Sequence, residues 1–464
     1  MHTYRRLLAV VIATILLVLP GASAAGPDSA LAGHSLHGDA FNEGPRQKAY
    51  LMGGTGKVHF PITTAAPLAQ KFFDQGIGQL HGFWYFEAER SFRQVAALDT
   101  NCATAYWGMA MANINNTKRA KEFIKIAVAN KSKVSPREAG WIDNLAAFYQ
   151  DEKKDEKERR REMARGYEQL VKNNPGDIEA KAFLAFQLWD NGNKGIALTN
   201  RQSVETIIAQ VMVAEPMHPA HHYRIHLWNT DNKDTNALGS AALCGQSSPA
   251  IAHMWHMPGH TFSDLKRYAD AAWQQEASAR ADHAHMMRDR VLPDQIHNYA
   301  HNNEWLIRDL NHIGRVNDAV DLAKNMIELP RNPKYNTLTK GSSNYGRTRL
   351  FDTLLRYELW EEIIALSETI YLEPTTLEGE QIKRLRALGV AHFNKGDAAE
   401  GQRQIAALEA MMQPTAPKVA PLAEKTCDPK PYENKPATTV TNAPASRVLL
   451  IEPALAELKC LAAI

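Results

Sequence analysis

Residues 72–108 read FFDQGIGQLHGFWYFEAERSFRQVAALDTNCATAYWG, and their spacing decides the fold. Phe72 is followed four residues on by Gly76, twelve further by Ala88, and four further by Phe92. Thr100 and Asn101 stand where a helix-breaking Pro is expected, and Tyr106, Trp107 and Gly108 then open the next unit. Small residues let antiparallel helices approach, and rings fill the space between one pair and the next. Trp255, Gly259, Phe262 and Ala271 fall on the same frame. Elsewhere the match thins: Tyr167, Leu170 and Pro175 fit one unit's end, and Gly314 with Ala319 another's middle.

This frame is the tetratricopeptide (TPR) pattern. From Leu68 to Met412 the chain reads as helices joined by short turns, without the sustained alternation a strand needs. The expected fold is all-α, a TPR-like helical-repeat solenoid of antiparallel helix pairs over residues 61–412. The charge-dense stretch Asp151–Lys157 reads as a solvated helix face. Residues 25–60 read as an irregular N-terminal segment, 413–446 as a Pro/Ala/Thr-rich linker or wrapping arm, and 447–464 as a C-terminal helix packing on the body.

Residues 1–24 carry Arg5-Arg6, the apolar run Leu7–Leu19 and Ala22-Ser23-Ala24, the three parts of a secretory signal peptide. The expected location is therefore exported, periplasmic or secreted, with no transmembrane anchor after cleavage. Losing two arginines takes the formal charge from +2 to 0, which argues against nucleic acid as a partner. Four cysteines, Cys102, Cys244, Cys427 and Cys460, make no disulfide framework, though Cys427 with Cys460 would staple the tail.

Twelve of the 18 histidines lie between His218 and His312, where even spacing would put about four. His222 and His226 are four apart and share a helix face, as do His256 and His260. The second pair follows the first by 34 residues, one TPR period. Residues one period apart take equivalent places on neighbouring first helices, whose axes lie roughly 8–10 Å apart. Four imidazoles are thus expected on the concave groove. Pro258 sets the second pair's helix to begin near it. His297 and His301 come one period plus seven residues later, which keeps the facing. Glu304 and Arg308 follow on that face, and His218, His253 and Asp282 are close in sequence.

Neutral imidazole suits copper, zinc or iron, and an i, i+4 pair offers two nitrogens to one ion. The expected ligands are His222, His226, His256, His260, His301, His297, Glu304, Asp282, His218 and His253. Met217, Met254, Met257, Met286 and Met287 would tilt the choice to copper, or serve as packing filler. Two other readings stay open. The histidines would be hydrogen-bonded core residues, or with Arg224, Arg308 and Lys266 they would hold a peptide or protein carboxylate, or another anion, in the groove without metal. No Walker loop, dinucleotide fingerprint, HExxH or GxSxG elbow occurs. Any enzyme activity would be metal-dependent, an oxidoreductase or hydrolase, with acid and base unassigned.

The chain also resembles a widespread group of exported bacterial TPR-repeat proteins. The likeness lies in Phe72-Phe73-Asp74-Gln75-Gly76 through Glu87-Ala88 to Cys102-Ala103 and Trp107-Gly108. It continues in His218-Pro219, His222-Tyr223, Ile225-His226, His256-Met257-Pro258, His260, Arg267-Tyr268, Asp270-Ala271 and His301-Asn302. The resemblance implies a TPR fold and groove histidines common to the group; it implies no reaction. Where the group tends to place another His after the His-Asn pair, this chain has Glu304.

Overall fold

The computed structural model describes residues 48–150, 153–198, 200–229, 234–296, 298–330, 337–412 and 444–464. The signal peptide, the 413–443 part of the linker, Cys427 and His297 lie outside the described residues.

Among the described residues nineteen α-helices follow one another, and no strand forms beyond an isolated bridge between Thr337 and Lys340. They pair in chain order. The first hairpins are α1 (Pro67–His81) with α2 (Tyr85–Leu98), α3 (Ala103–Ala112) with α4 (Thr117–Ala129), and α5 (Pro136–Gln150) with α6 (Glu156–Asn173). Next come α7 (Ile178–Asn193) with α8 (Arg201–Ala214), α9 (His221–Trp228) with α10 (Leu238–Ser247), and α11 (Ala252–Asp264) with α12 (Tyr268–Asp289). The last are α13 (Tyr299–His312) with α14 (Val316–Glu328), α15 (Gly341–Arg356) with α16 (Trp360–Leu366), and α17 (Glu378–Asn394) with α18 (Ala398–Met412). The helix α19 (Pro444–Ala462) packs on α17 and α18, with Leu458 against Gly389.

The glycine–aromatic frame explains the pairing. A Cβ on Gly76 of α1 would lie 2.6 Å from the Phe92 ring of α2, and one on Gly108 of α3 would also lie 2.6 Å from it. One ring thus fills two notches and sets the spacing of three helices. Helix starts are capped where the sequence allows. The Asp177 side chain accepts from the Ala180 amide at 3.1 Å, and Asn200 accepts from that of Gln202 at 2.8 Å.

Successive odd helices touch, as α1 with α3, α9 with α11 and α13 with α15. The chain is therefore an all-α helical-repeat solenoid with odd helices on its concave face. It curls tightly enough for α1 to meet α7 and α9. His81, the last residue of α1, bonds Glu179 of α7 and the Tyr223 hydroxyl of α9, each at 2.7 Å. On the adjoining side Arg90 of α2 pairs with Asp289 of α12 at 3.0 Å.

Residues 48–66 are extended and do more than lead in. The fully buried Phe60 sits against Phe73, Trp107 and Trp141, from α1, α3 and α5, at ring separations of 5.2, 5.5 and 4.8 Å. The Arg137 guanidinium covers its other side at 4.1 Å. The chain's own segment thus occupies the concave face of the first repeats. Replacing Phe60 with Ala is expected to cost about 3–5 kcal/mol in chemical denaturation, whereas Val213→Ala on the exposed surface changes it by about 0.5 kcal/mol or less.

Candidate metal centre

The structure sorts the histidines into two adjacent trios and a third, carboxylate-centred cluster. His222 and His226 of α9 meet His253 of α11; His256 and His260 of α11 meet His301 of α13. In each trio one ligand-capable nitrogen per residue lies within 4.8 Å of the others. The trios adjoin, with the His253 and His256 rings 5.9 Å apart. Each i, i+4 pair is thus completed from the next odd helix rather than by the other pair. Helix α11 runs through Pro258 and includes His256, because neighbours on both sides hold it.

Hydrogen bonds set the tautomers. His222 donates from Nδ1 to the backbone carbonyl of His81 at 2.7 Å, which leaves Nε2 as a lone pair. His226 Nε2 lies 2.9 Å from it. His256 donates from Nδ1 to Gln275 Oε1 at 2.8 Å, and His260 Nε2 lies 2.7 Å from His256 Nε2. In both pairs a ligand nitrogen is aimed by a bond on the opposite side of its ring.

The Gln275 contact grows out of the repeat. Gln275 follows Ala271 by four residues, the place Phe92 takes after Ala88. His256 falls where Phe73 stands in the first unit. The 5.1 Å packing of Phe73 on Phe92 is there replaced by a buried amide–imidazole hydrogen bond. A Cβ on Gly259 would lie 2.2 Å from Gln275, so this glycine admits the amide as Gly76 admits the ring.

The sites are largely buried and aromatic-walled, with His226, His253 and His301 partly exposed. Phe83 lies 4.4 Å from the His222 ring and stacks on His226 and His253 at 5.6 and 5.7 Å. It does so from a left-handed backbone at φ 55°, an uncommon state for a bulky residue and one that tends to gather at functional sites. Trp189 covers His226, and Trp305 packs edge-on to His260 at 4.1 Å. Burial pushes His222 and His301 down to about 4 and His260 to about 3, and lowers His226 and His256 well below the usual value. All five rings are neutral near pH 7, the state a metal requires.

The remaining expected ligands go elsewhere. His218 joins His81 around Glu179, whose carboxylate accepts from His81 Nε2 at 2.7 Å and His218 Nε2 at 3.2 Å. His218 Nδ1 accepts from the Ala220 amide and His81 Nδ1 bonds Tyr223, so this cluster is satisfied without an ion. Burial raises Asp282 to about 8, and it accepts from Asn302 at 3.1 Å. Glu304 is drawn to Arg349 at 2.6 Å and stays 3.8 Å from His301 Nδ1. The core-histidine reading describes His221, bonded to Ser240 and the Pro216 carbonyl, and His285, bonded to Asp289. Met254 and Met257 pack in the core, and Cys102 and Cys244 are buried free thiols. His81, Glu179 and Gln275 escaped the sequence reading, His81 lying 141 residues before His222.

No protein-family model matches the chain, and no curated protein matches it. Among solved structures it is similar to the human IFIT1 dimer with PPP-AAAA, at 13% identity, covering 72% of this chain and 81% of that one, TM-score 0.33. It is similar to yeast Tom70 at 10% identity over 84% and 89%, TM-score 0.25. The P58(IPK) TPR domain is similar at 12% identity over 85% and 98%, TM-score 0.19. The fold rests on the chain's own helix order.

The buried imidazoles make the metal-free protein acid-sensitive. Their folded pKa values lie below the unfolded value of 6.5, so the unfolded chain takes up protons first as pH falls. Their contribution is whole above pH 6.5 and is lost progressively down to about pH 4. Asp282 and Asp309, raised to about 8 and about 7, oppose this with Asp74, Asp264 and Glu304, also raised by burial. They are outnumbered by the five lowered histidines of the trios taken with His81, His221, Glu179 and Asp289, which are lowered too. The urea midpoint is expected to fall steadily between pH 6.5 and 4; a flat profile would contradict the burial.

Proposed function

We propose that the chain is a TPR-like scaffold whose concave face carries a transition-metal centre, one ion at each histidine trio. The observation that carries this is the aiming of His222 and His256. In each, Nδ1 is held by an acceptor and Nε2 faces a second imidazole nitrogen within 2.9 Å. Without an ion the second imidazole donates its Nε2–H to that lone pair; an ion would take the proton's place, and the third imidazole, with a nitrogen within 4.8 Å of both, completes the set of donors. All-nitrogen donors suit zinc, copper or iron, and three histidines leave a coordination position open, the arrangement of catalytic rather than structural sites. A bound ion would supply Lewis acidity or redox chemistry there; the chain's part is to hold the imidazoles neutral, aimed and shielded by Phe83, Trp189 and Trp305. The exported location, read from Arg5 to Ala24, belongs to the same proposal.

Metal analysis of untagged protein purified without chelator is expected to give close to one or two equivalents. His222→Ala with His260→Ala should abolish stoichiometric metal, and unchanged content in that double variant would falsify the proposal. Gln275→Leu keeps the side-chain volume but removes the acceptor behind His256. It should weaken metal binding by roughly 10–100-fold, read by competition with a chromogenic chelator.

A second reading, a scaffold binding an extended peptide or protein segment, is favoured by Phe60. Its segment already lies along the concave face with one aromatic anchor.

A further inference from the structure

Beyond the second trio the concave face changes character. Helices α13, α15 and α17 border an open pocket of about 580 Å³ lined by Arg308, Arg349, Arg356 and Arg386, with His312 and Asp352. Arg349 is held by Glu304 at 2.6 Å and Asp352 at 2.9 Å, and Arg386 is paired with Glu457 of α19. Arg308 and Arg356 have no carboxylate partner among the described residues. Arg308 is preset instead by stacking on Trp305 at 3.9 Å. Asp264, Glu304 and Asp309 feel its charge only at longer range. His312, stacked on Tyr268 at 4.0 Å, has its proton affinity lowered by burial and by the two unpaired guanidiniums.

Glu304, Asp352 and Glu457 neutralise Arg349 and Arg386, so the two unpaired guanidiniums, Arg308 and Arg356, give the concavity its excess positive charge and attract anions there. Arg308 and Arg356 each offer planar N–H donors that match carboxylate or phosphate oxygens two at a time. We infer that this cavity binds a small oxyanion with two or more negative charges, of the phosphate or polycarboxylate class. Arg308 and Arg356 supply the uncompensated charge, and the already engaged Arg349 and Arg386 form the walls. Arg349 also holds Glu304, which stands 3.8 Å from His301, so the bound anion would sit beside the second trio. The site does not depend on metal, and its test separates it from the metal proposal.

The test is calorimetric titration of the metal-free full chain at low ionic strength with inorganic phosphate, with citrate, and with neutral glycerol as control. Saturable binding of phosphate or citrate but not glycerol is expected, and the stronger of the two identifies the source chemistry. Arg308→Gln with Arg356→Gln should weaken binding by roughly tenfold or more. Exposed Arg356→Gln alone should weaken it in the same direction if the double variant folds poorly. No saturable anion binding, or equal affinity in a folded double variant, overturns the inference.

Discussion

The architecture depends on a ring in a notch. Phe92 fills the space left by two glycines on different helices, so α1, α2 and α3 have one spacing that brings their backbones close. Repeated along the chain, that spacing stacks the odd helices against one another. Ligand residues four apart on one helix can then be completed from the next. At Gly259 the same notch accepts an amide in place of a ring. A packing position thereby becomes a polar one with no change of backbone geometry, and the solenoid's regularity places the chemistry.

Burying so many imidazoles is costly unless each polar atom is used. The Glu179 cluster shows how that cost is met. One carboxylate takes two imidazole N–H groups, His81 passes its second nitrogen to Tyr223, and its carbonyl takes the proton of His222. The result ties α1, α7 and α9 together through hydrogen bonds in the interior. It fixes His222 from a helix remote in sequence, so site geometry and solenoid curl are one constraint.

What the sequence discloses follows from range. The hairpin frame at Phe72–Phe92 and the i, i+4 histidines are local, and local spacing can be read directly. The 34-residue recurrence correctly places both pairs on odd helices. It does not disclose which third imidazole completes each pair, because that depends on the offset between neighbouring helices. His81 and Glu179 were hidden for a stronger reason: their meeting with α9 is the sum of several small inter-repeat rotations. Glu304 and Asp282 looked like ligands by position, but Arg349, 45 residues on, and Asn302 had first claim on them. Gln275 was legible in principle, as a polar residue at the frame's aromatic position.

The Phe60 segment has a consequence for traffic on the concave face. A tethered occupant presents itself at an effective concentration of about millimolar, so an outside peptide of equal intrinsic affinity is largely excluded from the first repeats. The far end of the solenoid, where the arginines lie, carries no such tethered segment among the described residues. A stretch of chain that forms no helix thus makes the two ends of the concave face unequal.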